Sequence, residues 1–321
     1  ACQCRRTVIA HFLNIKSLIG YILADKGYDV WLGNVRGNIY SKKHVNLTIK
    51  DAKFWDFSWQ DIAEYDLPAM INFILNKTGT KQIVYVGHSQ GTLIGFAKFS
   101  TDLEFAKKIK LFVALAPVST VYYITTPVRY LAPFSWPIEK TLELFGDYSF
   151  GSITWILNYV KPACEFVPEG LMLCENIIFF LAGPESKRML NQTRIPVYLA
   201  HNPDDTSMKN LVHYAQMVNT GKMQKYDYGF IKNLMVYGQT WPPEYQIERM
   251  EVDTVAFYSP RDAFADDRDV LPLLNKIRKL KKVYRLDQYS HLDFLWALDS
   301  VEKVYTPMMR DIENLDSNYN L

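Results

Sequence analysis

The chain reads Ile-Val-Tyr-Val-Gly-His-Ser-Gln-Gly-Thr-Leu-Ile-Gly-Phe at residues 83–96, with a single serine between two glycines. Ile83 to Val86 are β-branched or aromatic and predict a buried strand, whereas Thr92, Leu93 and the apolar residues that follow have helical spacing. Because the chain must reverse within a few residues, we expect a strained backbone at Ser89 and a hydroxyl that stands clear of the sheet. This arrangement predicts a nucleophilic serine. The alternative is a tight turn whose serine has no chemical role.

Two glycines flank this serine for a steric reason. The predicted strand and helix cross closely, so a β-carbon at Gly87 or Gly91 would collide with the other element. The G-x-S-x-G pattern is common by itself, and its position between a strand and a helix is what favours the catalytic interpretation.

Length and composition restrict the class of protein. The 321 residues can bury a large core, either as one α/β domain or as a core with an insertion. The chain has 36 basic and 34 acidic residues, and this balance argues against a nucleic-acid partner. The longest apolar stretches, such as 111–118, are far shorter than the roughly 20 residues of a transmembrane helix. The sequence contains no recognisable signal peptide.

Helix and strand patterns alternate from residue 17 to residue 117, which predicts right-handed βαβ crossovers and a mostly parallel sheet. A strand is predicted at 28–32 and another at 111–116. A helix is predicted to begin near Ser58, where Ser-x-x-Asp resembles a capping box, with Pro68 marking a kink or junction. The C-terminal part predicts strands at 252–258 and 283–286 and helices at 270–280 and 299–315.

This alternation stops after Pro117. Between residues 122 and 180, 13 of 59 residues are aromatic, and several prolines interrupt the pattern. Such a segment favours a largely helical cap inserted over the catalytic face, although an ordinary second core has the same composition. We therefore expect an α/β fold with a hydrolase core at 1–118 and 250–321 and a cap and lid insertion at 119–249.

A nucleophilic serine needs a base within hydrogen-bond reach and a carboxylate that orients the base. His291 follows the strand predicted at 283–286 and completes the chain order Ser, Asp, His, which favours it as the base over a solvent-facing histidine. His88 lies within the serine turn itself. Three other histidines precede the expected acid loop: His44, His201 and His213.

The acid is predicted to be Asp262, in the Ser-Pro-Arg-Asp loop directly after the strand at 252–258. Three later carboxylates are better suited to the first turn of the next helix, where negative charge is favourable: Asp266, Asp267 and Asp269. Asp204 and Asp205 are reserve candidates because they follow a predicted strand at 197–200, but they fall in the expected cap.

Several motifs occur together in this chain: Gly-His-Ser-Gln-Gly-Thr at 87–92, Tyr-Asp-Val-Trp-Leu-Gly-Asn at 28–34, His-Asn-Pro at 201–203 and His-Leu-Asp-Phe-Leu-Trp-Ala at 291–297. In combination they resemble the acid lipases, the gastric and lysosomal lipases with their insect relatives. The resemblance covers residue 17 to the C-terminus. It implies an α/β-hydrolase core with a cap and lid. We expect acyl transfer through a serine nucleophile, which requires no metal and no cofactor. The implied substrates are neutral lipid esters, mainly acylglycerols and also sterol esters, met at a lipid–water interface through the cap and lid.

The resemblance assigns the same three residues as the chain order: Ser89 as nucleophile, Asp262 as acid and His291 as base. It also places Cys164 and Cys174 at the family's lid disulfide, whereas their spacing alone is equally compatible with two buried thiols. A secreted or lysosomal setting is implied. The three N-x-[ST] glycosylation candidates are compatible with it: Asn46, Asn76 and Asn191.

The N-terminus departs from the family. Acid lipases carry further edge strands there and a His-Gly-Leu motif that helps to form the oxyanion hole, whereas this chain has His-Phe-Leu at 11–13. We expect those edge strands to be missing. The backbone N–H of Gln90 is the predicted oxyanion donor and that of Leu13 is the candidate for the second; losing one donor lowers rates by about 10²–10³. The alternatives are therefore a weakly active or inactive lipid-binding relative and an esterase for short soluble esters.

Overall fold

A six-stranded, all-parallel sheet forms the centre of the computed structural model, which describes residues 7–11, 18–134, 148–149, 190–194, 197–198 and 204–317. The strand order is β2-β1-β3-β4-β5-β6. The strands are β1 (Thr7–His11), β2 (Asp29–Leu32), β3 (Ile83–His88), β4 (Ile109–Leu115), β5 (Thr254–Tyr258) and β6 (Leu280–Arg285). The predicted parallel sheet is confirmed.

Helices join the strands and cover the sheet. Those of the described residues are α1 (Leu18–Asp25), α2 (Trp59–Asp61), α3 (Leu67–Thr78), α4 (Gln90–Thr101), α5 (Leu103–Ala106), α6 (Met208–Thr220), α7 (Phe230–Tyr237), α8 (Asp267–Lys276), α9 (Asp293–Trp296) and α10 (Thr306–Ser317). Short 3₁₀ turns occur at Ala52–Trp55, Pro127–Phe134, Gln192–Arg194 and Ile247–Arg249. Within these ranges, no helix combines the length and the apolar character that a bilayer crossing requires.

Strand β1 is the element that the sequence pattern does not predict. It lies inside the sheet and pairs with both neighbours, so that Val8 is opposite Val30 of β2 and Val84 of β3. Its apolar run is only Val8 to Ala10, a weak local signal, and pairing with a strand on each side stabilises it. On this side the described sheet ends at β2.

The helix predicted near Ser58 begins with a capping box. The Ser58 side chain accepts from the N–H of Gln60, and the Asp61 carboxylate accepts from the N–H of Ser58. A π-helical turn at Ile62–Asp66 follows, and α3 begins with Pro68 in its first turn. The predicted junction at this proline is therefore confirmed.

Two predicted boundaries in the C-terminal part are wrong. Helix α8 ends at Lys276 rather than near residue 280, and β6 begins at Leu280 rather than at 283. Lysines occupy the beginning of β6 and hide its strand pattern. Because β6 is an edge strand, these charges protect it from pairing with another chain; Lys281 forms an ion pair with Asp253.

Strand β3 carries the site and is fully buried along its length. Both faces of a parallel sheet are covered by helices, so its central strands are apolar throughout. Phe96 and Phe99 of α4 pack against Phe112 of β4, with ring centroids 4.9 and 5.5 Å apart. The strand and the helix on either side of Ser89 therefore belong to one packed core.

Candidate active site

Ser89 occupies a strained turn between β3 and α4. Its backbone has φ 53° and ψ −117°, a conformation that residues other than glycine rarely adopt. A β-carbon built on Gly87 would lie 2.7 Å from the carbonyl carbon of Gly91 and 2.9 Å from the nitrogen of Thr92. The predicted need for glycine at this position is confirmed, and the serine hydroxyl is presented at the carboxyl end of the sheet.

Both backbone groups of Ser89 are held by neighbours. Its N–H donates to the carbonyl of Leu115 at 3.1 Å, and its carbonyl accepts from the Thr92 hydroxyl at 2.6 Å. The same hydroxyl accepts from the N–H of Val118 at 2.8 Å. Such local strain costs on the order of 1–3 kcal/mol and persists only where the surroundings fix it. These bonds supply that constraint.

The three predicted side chains meet at this turn. The Nε2 of His291 lies 2.7 Å from the Oγ of Ser89. The Nδ1 of His291 lies 2.8 and 2.9 Å from the two carboxylate oxygens of Asp262. A hydrogen-bonded chain therefore runs from a hydroxyl through an imidazole to a carboxylate.

Asp262 is buried and remains ionised. Burial alone raises the pKa of a carboxyl group, but His291 and the N–H groups of Phe264 and Ala265, each 2.8 Å away, hold the pKa of Asp262 below its usual value. An ionised carboxylate only accepts, so the Nδ1 of His291 carries the proton. The Nε2 is then free to accept the hydroxyl proton of Ser89.

The competing carboxylates of the acid loop have structural roles. Asp266 caps α8, where its side chain accepts from the N–H of Arg268 at 3.0 Å. Asp269 instead accepts from the Thr120 hydroxyl and, at 2.9 Å, from the N–H of Tyr123. The prediction that these residues start the helix is confirmed, because Asp266 is its N-cap and Asp267 and Asp269 lie in its first turn. Asp269 additionally holds the segment that follows β4.

The reserve candidates do not reach His291. Asp204 accepts from the N–H of Ile39 at 3.0 Å, and Asp205 forms an ion pair with Lys42 at 2.9 Å. The strand predicted before them is wrong, because residues 197–198 are helical. Tyr198 there stacks on Trp296, with ring centroids 4.4 Å apart.

Gln90 is the first residue of α4, immediately after the serine. An α-helix has no intrahelical acceptor for its first N–H groups, and its N-terminus carries partial positive charge, so the Gln90 N–H suits a developing oxyanion. Leu13, the candidate for the second donor, lies outside the described residues. Cys164 and Cys174 also lie outside them.

Sequence reasoning missed three further contacts of the site. The Gln90 side-chain oxygen accepts from Asn210 at 3.0 Å and from the Tyr214 hydroxyl at 3.2 Å, both on α6. His88 directs its Nε2 at the carbonyl of His291, 2.8 Å away. Each contact joins residues that are more than one hundred positions apart, and no spacing rule within the sequence identifies such pairs.

Comparisons with known proteins agree with this geometry. A family model of the alpha/beta hydrolase fold matches residues 12–161. The chain is 44% identical over 296 residues to lipase member K of Mus musculus, covering 92% of this chain and 74% of that protein. It is 43% identical to lysosomal acid lipase/cholesteryl ester hydrolase of Homo sapiens and 42% identical to gastric triacylglycerol lipase of Bos taurus, covering 73% and 74% of those proteins. The chain belongs to the acid lipase family.

Solved structures of other lipases and esterases share the α/β-hydrolase fold of this acid lipase family member. A monoacylglycerol lipase of Paleococcus ferrophilus aligns with a TM-score of 0.55 at 13% identity, covering 97% of this chain and 93% of that one. An esterase of Thermogutta terrifontis aligns with a TM-score of 0.52 at 12% identity, covering 97% and 90%. At such low identity the likeness concerns the fold alone, and the expected α/β-hydrolase core is confirmed.

Proposed function

We propose that this chain hydrolyses carboxylic esters of neutral lipids through an acyl-enzyme formed on Ser89. The observation that carries the proposal is the continuous hydrogen-bonded chain from Ser89 through His291 to Asp262, set on a strained strand-to-helix turn. Relatives named triacylglycerol lipase and cholesteryl ester hydrolase support acylglycerols and sterol esters as the substrates.

The first half of the reaction transfers the acyl group to the enzyme. His291 Nε2 takes the hydroxyl proton while Ser89 Oγ bonds to the ester carbonyl carbon, giving a tetrahedral oxyanion. The Gln90 N–H stabilises that oxyanion. The bond from the carbonyl carbon to the alkoxy oxygen then breaks, and His291 returns the proton to the departing alcohol.

Water completes the cycle. His291 removes a proton from a water molecule, whose oxygen attacks the acyl carbonyl, and Ser89 leaves with the proton that His291 carries. Asp262 stabilises the imidazolium in both halves and keeps the proton of the resting ring on Nδ1. No step in this scheme calls for a metal ion or a cofactor.

The proposal is tested with purified protein on a long-chain triacylglycerol emulsion, a sterol ester emulsion and a short-chain soluble ester. We expect hydrolysis of the emulsions by the wild type and a loss of at least about 10³-fold in Ser89→Ala. Hydrolysis of the soluble ester alone would indicate an ordinary esterase. Activity that is unchanged in Ser89→Ala would contradict the mechanism.

We further propose that the cap region, at 119–249, contacts the lipid–water interface. Helix α7 supports this assignment because it exposes adjacent apolar side chains: Phe230, Ile231 and Met235 are 67%, 68% and 79% exposed. Trp241 beyond the helix is also exposed. An amphipathic helix with aromatic and aliphatic residues on one face is suited to an interface.

This second proposal is tested with variants that should weaken binding to the lipid surface without changing the chemistry at Ser89. Phe230→Ser with Met235→Ser should lower hydrolysis of an emulsion while leaving hydrolysis of a soluble ester unchanged. Val45→Ser is a matched control, because Val45 is 93% exposed but lies outside the cap region. Equal emulsion activity of the double variant and the control would contradict the assignment.

A secreted or lysosomal location is proposed from the same relatives, whose names include a lysosomal and a gastric lipase. Asn46 and Asn76 are exposed and Asn191 is half-buried, so the first two are accessible for glycosylation. Expression in a secretory host should give a protein whose electrophoretic mobility increases after glycosidase treatment. An unchanged mobility would contradict glycosylation at these sites. A disulfide between Cys164 and Cys174 remains part of the proposal, and mass mapping under non-reducing conditions tests it.

A further inference from the structure

His88 is a buried histidine that the proposed reaction does not use. It precedes Ser89 at the end of β3, and it is 1% exposed. Its Nε2 lies 2.8 Å from the carbonyl oxygen of His291, a residue 203 positions later in the chain. Because a carbonyl oxygen only accepts, Nε2 carries the proton and donates it.

We propose that His88 is a positioning residue that fixes the backbone of His291 so that the imidazole reaches the Ser89 hydroxyl. This inference rests on the proposed function, in which His291 is the base. Two successive residues then contact His291: His88 hydrogen-bonds the His291 carbonyl, and the Ser89 hydroxyl lies 2.7 Å from Nε2 of the His291 ring. The distance between the imidazole and the Ser89 hydroxyl is thereby fixed by bonds to both the backbone and the side chain of His291.

The turn that carries the base needs such an anchor. Ser290 donates its N–H to the Asp293 carboxylate at 2.7 Å, and the Asp293 N–H donates to the carbonyl of Ser290 at 3.1 Å. These bonds fix the shape of the turn but not its distance from β3. The His88 bond spans that distance, because it connects the turn directly to the residue before the nucleophile.

The charge of His88 also suits this role. Burial, together with the charge of His291, lowers the pKa of His88 to about 3, although the hydrogen bond to the His291 carbonyl and the charge of Asp262 act in the opposite direction. The two imidazole rings are 4.9 Å apart, so a protonated His88 would repel the imidazolium that forms on His291 during the reaction. A neutral His88 provides a hydrogen bond without that repulsion.

The test compares His88→Met, which removes the donor but fills similar space, with His88→Gln, which restores a side-chain N–H. A fluorophosphonate probe first counts the reactive serines, and kcat and KM are then measured per labelled site on a soluble ester. We expect kcat to fall about 10- to 100-fold in the Met variant with KM changed less than about threefold. The Gln variant should recover most of this loss, whereas wild-type kcat in His88→Met would overturn the proposal.

His213 offers a matched control. It is fully buried, and its Nε2 lies 3.0 Å from the carbonyl of Gln224, so it makes the same kind of bond away from His291. His213→Met should lower the stability of the fold but leave kcat per labelled site within about twofold of the wild type. Equal losses of kcat in the His88 and His213 variants would show a general packing effect and overturn the proposal.

A measurement on the wild type keeps the proposal falsifiable if His88→Met does not fold. Nitrogen-15 NMR of labelled histidines should show His88 neutral, protonated at Nε2 and hydrogen-bonded at pH 5. Titration of His88 near pH 6.5, or a proton on Nδ1, would overturn it. If the wild type neither labels at Ser89 nor hydrolyses esters, the proposed function is wrong. If the wild type labels and kcat is unchanged in His88→Met, only the positioning role is wrong.

Discussion

Gly87→Ala is the substitution that most directly probes the turn under the nucleophile. The added β-carbon would lie 2.7 Å from the Gly91 carbonyl carbon, 2.8 Å from its oxygen and 2.9 Å from the Thr92 nitrogen. Carbon atoms in contact prefer about 3.5–4.0 Å, so β3 and the start of α4 must separate by close to 1 Å. All three neighbours are backbone atoms, which cannot rotate away.

The expected cost follows from this geometry. Overpacking of a core costs about 1–3 kcal/mol, and rigid backbone neighbours place Gly87→Ala at the upper end of that range. The same shift moves Ser89 and the Gln90 N–H relative to His291. A displacement of about 1 Å in a catalytic constellation costs on the order of 10²-fold in rate, so kcat/KM should fall by about that factor.

Gly95→Ala is the matched control within α4. Its β-carbon would meet ring atoms of Phe112, Tyr85 and Phe99 at 3.0, 3.1 and 3.3 Å, so these side chains need to shift by only a few tenths of an ångström and no backbone atom is in the way. Replacing glycine inside a helix also contributes up to about 1 kcal/mol of stability, which offsets the crowding. We expect Gly95→Ala to remain within about 1 kcal/mol of the wild type in stability and to keep its activity.

Urea unfolding and kinetics on a soluble ester measure both quantities for the two variants. The steric account requires a clear difference between them. Wild-type stability and activity in Gly87→Ala, or equal losses in both variants, would refute the reasoning about the turn.

Three other predictions test separate parts of the account. Asp262→Asn should lower kcat by about 10³–10⁴-fold with little loss of folding, because an amide does not enforce the Nδ1-protonated form of His291; a loss below tenfold contradicts the assigned acid. Ser58→Ala should cost about 1–2 kcal/mol in urea unfolding, because Ser58 caps α2 and also bonds His213; unchanged stability contradicts this role. Burial lowers the pKa of His213 and of His88 from 6.5 to about 3, so the stability held by each neutral ring is complete above pH 6.5 and is lost as pH falls toward 3. Acidification from pH 7 to pH 5 should therefore cost about 2 kcal/mol per ring, and His213→Phe should reduce the pH dependence by that amount, whereas an unchanged dependence contradicts the buried neutral state.

The fold was predictable where periodicity is strong. The turn at Ser89, the capping box at Ser58 and the buried strands on either side of α4 follow from residue types that suit only one local structure. Strand β1 is not predicted because its apolar run is only three residues long, and the beginning of β6 is misplaced because lysines mask an edge strand. In both cases tertiary pairing decides the structure.

The site was predictable to a similar degree. Chain order and strand ends were sufficient to bring Ser89, Asp262 and His291 together, since parallel strands end at one edge of the sheet. The contacts of His88 and Asn210 were not predictable, because each depends on how two distant segments pack. Hydrogen bonds of this kind leave no local pattern in the sequence.

Covalent labelling tests the central claim most directly, namely that Ser89, His291 and Asp262 act as one unit. Wild-type protein should react with a fluorophosphonate probe at Ser89 alone, as mapped by peptide mass spectrometry, and His291→Ala should react at least about 10²-fold more slowly. Labelling at another residue, or equal rates in the wild type and His291→Ala, would contradict the account.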